Sequence, residues 1–346
     1  MPVDYFDPLF FGDDYRPPES STVLANEPDE SHTIARDATP VASPASNVSV
    51  SISTTFHAQL GFTGSLPDTT LMTSDSVLFY VHSLHLKRSS ANGFGTLLLK
   101  TYSTSIPVQE TAALLNVVLH SFYNMGCQKY DPSVEIMLQV LDSLKKYGAR
   151  LQHIVAPSMP LFNHFVKQAP RQPLGFYIVA ASHDLHALAA EVSGYLLSYP
   201  LTSITDGEAE KMGPLYYKKL YVLHRSRTET LRTLLFVRPE GHTATVNCSP
   251  FDQQRLKRAW ELAAAQILWD TQPDLSPSVI QNALSSLASH VSCDICKNSL
   301  DKKISQILVQ WSMTPRTIES SSKSLAVEGT WQKTRFFTIL LPTSIG

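Results

Sequence analysis

Cysteine is scarce, with four in 346 residues: Cys127, Cys248, Cys293 and Cys296. Four cannot staple a chain of this length, which excludes a disulfide scaffold and suits a reducing compartment. Net charge is slight, −2 with neutral histidines, so nothing global asks for nucleic acid or an anionic membrane. Clean hydrophobic runs are lacking too. The longest uncharged apolar stretch, TAALLNVVLHSFYNMGCQ at 111–128, contains Asn116, His120 and Asn124 and reads as a buried core helix. The opening MPVDYFDPLFFGDDYRPPES lacks the basic start and apolar run of a secretory leader. An intracellular protein, cytoplasmic or nuclear and without membrane contact, is expected. The Asn-x-Ser sequons at Asn47 and Asn247 would then carry no sugar. Nucleophile and phosphate signatures are missing: no Gly-x-Ser-x-Gly, no Walker loop, no Gly-x-Gly-x-x-Gly. NGFGT at 92–96 has neither the strand nor the lysine of a phosphate loop and reads as a bend between helices. No catalytic residue and no cofactor site is expected.

What is present is a core. Apolar residues make up 43 % and charged residues 17 %, an ordinary balance for a globular protein, and the length suits roughly two domains. Charge is unevenly spread. Residues 1–55 hold nine acids against Arg16 and Arg36, which leaves the remainder mildly basic. This segment, rich in Pro, Ser and Thr, has too little apolar surface to offset its ordering entropy, so a disordered acidic tail is expected over 1–58. Within it YFDPLFFGDDY sets aromatics among acids, either a short docking motif or plain tail.

From residue 66 the pattern changes. TTLMT and VLFYV are short β-type runs joined by SDS, a hairpin. HSLHLKRSS and STSIPV follow, then a helix carrying Leu114, Leu115, Val117, Val118, Leu119, Phe122 and Met125, apolar almost all round and therefore buried. Asp131-Pro132, Ser249-Pro250 and Ser276-Pro277 each read as an N-cap followed by proline at the first helical position, and Thr205 to Glu208 as a capping box. The helices behind them carry stripes such as Val134/Met137/Leu141/Leu144, Leu256/Trp260/Ala263/Ile267 and Ile280/Leu284/Leu287/Val291. Leu300/Ile304/Ile307/Leu308/Trp311 form a last one. After Thr314 periodicity is lost, and TRFFTILLP near the end is an apolar run of undetermined form. The fold class expected is α+β: a small β-sheet with α-helices over 59–150, an all-α helical extension over 151–318 and an irregular tail over 319–346.

Three clusters invite chemistry. SHVSCDICKNSL holds Cys293-x-x-Cys296 with His290 three residues earlier. Zinc takes four ligands, whereas these three candidates fall on one predicted helix and Cys127 and Cys248 stand apart. Cysteine as a small apolar residue on a buried helix accounts for the stretch, so no metal site is expected. The pairs His82/His85 and His183/His186, at i and i+3, lack a third ligand and read as packed or surface histidines. YYKKLYVLHRSRTETLR (216–232) and RLKRAW (255–260) mix bases with aromatics, as nucleic-acid binders do. Yet Tyr216, Leu220 and Leu223 keep helical spacing, so the aromatics read as core and the bases as a solvated face.

The stretch LPDTTLMTSDSVLFYVHSLHLKRSSANGFGTLL (66–98) resembles the start of a BTB/POZ domain, through Asp68, Leu71, Tyr80, His82, Leu86 and Phe94 in order. SIPVQE (105–110) looks like that family's next strand, and 111–125 and 133–147, ending in LKKYG, like its closing helix pair. The remainder to 318 is similar to the region that follows the module in basidiomycete fungal proteins. The resemblance implies a non-enzymatic adaptor or scaffold that dimerises and recruits protein partners, in some members for a cullin-3 ubiquitin ligase. It further implies a homodimer anchored by Leu71, Leu84 and Leu86. Two departures matter. Ser83 stands where many members have an arginine that forms a charged pocket with the first-strand aspartate, so Asp68 is expected to lose that arginine partner and the pocket with it. The hydrophobic-x-Glu element of the cullin contact is not evident in TLLLKTYST. The alternative is a transcription-linked or nucleic-acid-associated regulator using basic helices 216–258. His82, at the strand-to-helix junction, is expected to pack its ring and hydrogen-bond backbone.

Overall fold

A computed structural model describes residues 50–99, 105–269 and 271–318. The fold is α+β: a four-stranded sheet at the start, then helices. The segments YFDPLFFGDDY and TRFFTILLP lie outside the described residues.

The hairpin forms as its alternation requires. Strands β2 (Thr69–Met72) and β3 (Val77–Val81) pair antiparallel with Leu71 opposite Phe79, and both side chains are buried. Ser76 turns the chain with φ of 62°. The last residues of the expected disordered tail are ordered. Strand β1 (Ser51–Ile52) pairs parallel with β3, and Phe56 is fully buried against Phe79, His120 and Tyr123. One aromatic with a ready-made pocket outweighs the polar composition around it. Strand β4 (Ile106–Pro107) closes the order β1-β3-β2-β4 by pairing parallel with β2.

Helix α1 (Ser83–Ser89) leaves β3 directly. Helix α2 (Ala112–Phe122) is buried nearly all round, as its apolar sequence requires. Its first free N–H, at Ala112, is taken by the Asp75 carboxylate from the hairpin turn at 2.9 and 3.1 Å. Helix α3 (Val134–Lys146) starts two residues later than Asp131-Pro132 suggested. Ser133 is the cap and accepts from the Ile136 N–H, while Asp131 is turned out of helical geometry at φ 34°. At the far end, Gly148 (φ 74°) lets the chain pass so close to Asn92 that a Cβ there would overlap it. Asn92 and Ser90 cap the exposed carbonyls of Lys146 and Tyr147.

The rest of the described chain is helical: α4 (Leu151–Ile154), α5 (Pro160–Gln168), α6 (Pro173–Ser182), α7 (His186–Ser193), α8 (Asp206–Met212), α9 (Pro214–Phe236), α10 (Pro250–Trp269), α11 (Pro277–Ser285) and α12 (Asp294–Met313). The capping box at Thr205/Glu208 and the cap at Ser276 form as their sequences indicate. Ser249 exchanges hydrogen bonds with Asp252 at the start of α10. Two cores result. The first runs unbroken from Phe56 to Leu223 across residue 150. The second joins Leu231 and Leu235 to Trp260, Ile280, Leu284, Ile304 and Trp311. Helix α9 contributes to both.

Candidate metal centre

The signature residues at the sheet have interior tasks. Leu71, Leu86 and Phe94 are fully buried in the protein's own core. Leu71 and Leu86 therefore cannot anchor a second copy, which corrects the expectation placed on them; the inward face of β2 and the inner side of α1 that carry them serve the chain's own core. Leu84 points outward at 58 % exposure, and Tyr80 is half-buried. Asp68 has Ser83 as its partner where the family pattern has an arginine. The Ser83 N–H and hydroxyl both donate to its carboxylate, at 2.7 and 2.6 Å. Burial pushes that carboxyl up, but the two Ser83 hydrogen bonds outweigh it and leave the pKa below the ordinary value.

His82 is 4 % exposed. Its N–H donates to the Tyr123 oxygen at 2.9 Å, and its ring lies 3.0 Å through Nδ1 from the same oxygen and 3.2 Å through Nε2 from the Ser65 carbonyl. That pattern assigns the proton to Nε2, with the Tyr123 hydroxyl donating to Nδ1. His85 is engaged by the Phe122 carbonyl at 3.0 Å, so this histidine pair is consumed by packing. His183 faces Asp142 and His186 faces Lys219, so they too turn to different partners.

The basic stretch has one surprise. Tyr216, Leu220 and Leu223 are core, as their spacing indicated, but Arg227 is 1 % exposed instead of solvated. It stacks over Trp311, 4.3 Å from the ring, and donates to the carbonyls of Pro273, Thr314 and Pro315. Burial pulls its pKa down to about 10. Arg238 is paired with Glu261 at 2.6 Å.

Where sequence reasoning expected small apolar cysteines, the fold gathers His242, Cys248, Cys293 and Cys296, with all four ligand atoms within 4.8 Å of one another. The expected single helix through 289–300 is interrupted. A 3-10 turn ends at His290, Val291 is extended, and Cys293 is the N-cap of α12. His290 is thereby left on the exposed rim of the adjoining pocket, outside the set. Cys248, which seemed isolated, is carried in by a tight turn. Thr245 and Cys248 exchange backbone hydrogen bonds around Val246-Asn247, and Ser249 then caps α10. His242 is held from α10, where Gln253 bonds both its N–H and its carbonyl. Cys127 stays in the first core, where burial raises its pKa.

The sulfurs are thiols. Cys248 Sγ and Cys296 Sγ stand 3.7 Å apart, far beyond a disulfide bond of about 2.05 Å. His242 Nε2 lies 3.2 Å from Cys296 Sγ and 3.4 Å from Cys293 Sγ. Backbone N–H groups of Cys296 and Ile295, at the start of α12, bring the Cys293 thiol down to about 7. Burial pushes Cys296 up to about 12, since neighbouring thiols cannot all ionise in one apolar site. The three cysteines are buried and His242 half-buried.

Comparison with protein-family models, with curated proteins and with solved structures finds no match. Among the described residues, no helix is long and apolar enough to cross a membrane.

Proposed function

We propose that this protein is a non-enzymatic protein-interaction scaffold of the BTB/POZ type that assembles as a homodimer through its sheet-and-helix module and recruits other proteins. The observation that carries the reading is the exposed apolar pair Leu66 and Leu84, at 66 % and 58 %, flanking the hydrogen-bonded Asp68 and Ser83 in sequence. Exposed leucines and a hydrogen-bonded aspartate suit an interface, which needs apolar contact and no orphaned charge. Ile52 of the edge strand β1 and Val50 just before it are each more than half exposed. Of the signature residues of the resemblance, Leu71, His82, Leu86 and Phe94 are buried in the interior, which is in keeping with the module. Cullin-3 recruitment would need a contact other than the missing hydrophobic-x-Glu element. Size-exclusion chromatography with light scattering should return twice the 38.3 kDa chain mass at micromolar concentration, and Leu84→Glu should return the monomer. A monomeric wild-type chain would sink the reading.

A further inference from the structure

We propose that His242, Cys248, Cys293 and Cys296 bind one zinc ion as a closed structural site. Edge lengths make the first argument. Zinc with sulfur at about 2.3 Å and nitrogen at about 2.0–2.1 Å in a tetrahedron puts its ligands about 3.8 Å apart for S–S and about 3.5 Å apart for S–N. The separations here are 3.7 Å for S–S and 3.2 and 3.4 Å for S–N. These three of the six edges match a zinc tetrahedron to within about 0.3 Å, and all four donor atoms lie within 4.8 Å of one another.

The second argument is orientation. His242 Nδ1 lies 2.7 Å from the Thr243 carbonyl, to which it donates its proton. That leaves Nε2 as a bare lone pair, and Nε2 is the nitrogen that faces the sulfurs. A carbonyl holding the outer imidazole N–H is the usual support of a zinc-bound histidine. The third is the backbone. Cys293 and Cys296 occupy the N-cap and third positions of α12, in the first turn whose free N–H groups favour a negatively charged centre.

The chemistry balances. Zinc displaces the protons of three thiols into solvent and accepts the Nε2 lone pair without changing oxidation state. The assembled centre carries one negative charge, and Arg255 lines the adjoining pocket. Three thiolates and an imidazole select zinc over magnesium or calcium, which take oxygen ligands. Four protein ligands leave no open coordination position, so the role is architectural. The ion ties the 237–249 connection to the start of α12.

Zinc content of the purified full chain, measured by inductively coupled plasma mass spectrometry after buffer exchange, should be one per chain. His242→Ala and Cys296→Ser should lower it several-fold, while His290→Ala and Cys127→Ser should leave it at one. Wild-type chain that is folded by circular dichroism yet holds well under one zinc after reconstitution overturns the proposal. So does loss of zinc in His290→Ala with retention in His242→Ala. If Cys296→Ser does not fold, cobalt substitution of the wild-type chain decides. Intense visible bands with thiolate-to-cobalt charge transfer support the tetrahedral site, and the weak spectrum of six-coordinate cobalt refutes it.

Discussion

Glu110 shows how much one side chain can join. Its carboxylate accepts from Lys146 Nζ at 2.7 Å and from the Tyr147 hydroxyl, while its carbonyl receives Ser74 of the hairpin turn. Burial pushes the carboxyl up, but the hydrogen bonds from Lys146 and Tyr147 prevail and its pKa falls below the ordinary 4.5. A lowered folded-state pKa means the unfolded chain takes up the proton first as pH falls. The stabilisation is thus complete above about 4.5 and is lost as pH drops through the folded value. The Lys146 side chain is 48 % exposed, so solvent screening weakens its contribution, and the Tyr147 bond adds to it from the buried side. Glu110→Gln should cost about 1–2 kcal/mol at neutral pH. In urea titrations the difference from wild type should vanish in acid; a gap that persists unchanged there would contradict this account.

At the scale of elements, the joint between α3 and the 90–95 loop is the most exacting backbone contact. Gly148→Ala meets both a left-handed φ and the Asn92 side chain, and should destabilise by about 1–3 kcal/mol in chemical denaturation. Gly207→Ala is the control. It sits near the start of α8 with open space around it, and should be neutral or slightly stabilising. Most elements could be read from the chain, because their information is local: alternation in β2 and β3, the capping box at Thr205, serine caps before proline at α10 and α11. What escaped is what packing supplies from a distance. Asp75 completes the start of α2 from 37 residues away, Phe56 recruits the end of a polar segment into the core, and Ser133 supplants Asp131 because it can reach Ile136. The metal set follows the same logic. Cys293-x-x-Cys296 was visible as a motif, but helical spacing favoured His290. The extended residues after His290 break that spacing, and the remaining ligands arrive from a turn near residue 245 that carries no periodic signal.

On the scale of the whole molecule, α9 is one rod through two cores. Tyr216, Leu220 and Leu223 belong to the first, Leu231 and Leu235 to the second. Arg227 sits at the changeover and grips the carbonyls of Thr314 and Pro315. From there the chain returns Ile318 to the first core, its N–H bonded to Ser193. The cysteine cluster lies wholly on the side of the second core, to which Leu256 connects it. Structural zinc binds with an apparent ~10–16 kcal/mol, as much as the entire stability of a typical domain at ~5–15 kcal/mol. Removing the ion should therefore unfasten the second core while the first, which owes it no contact, persists. Hydrogen exchange before and after chelation should show amides of α10, α11 and α12 losing protection, with those of α2, α3 and α6 unchanged. Uniform loss across both sets would mean that α9 couples the cores into one cooperative unit. No loss at all would mean that the packing around Trp260 and Trp311 holds the second core without the metal.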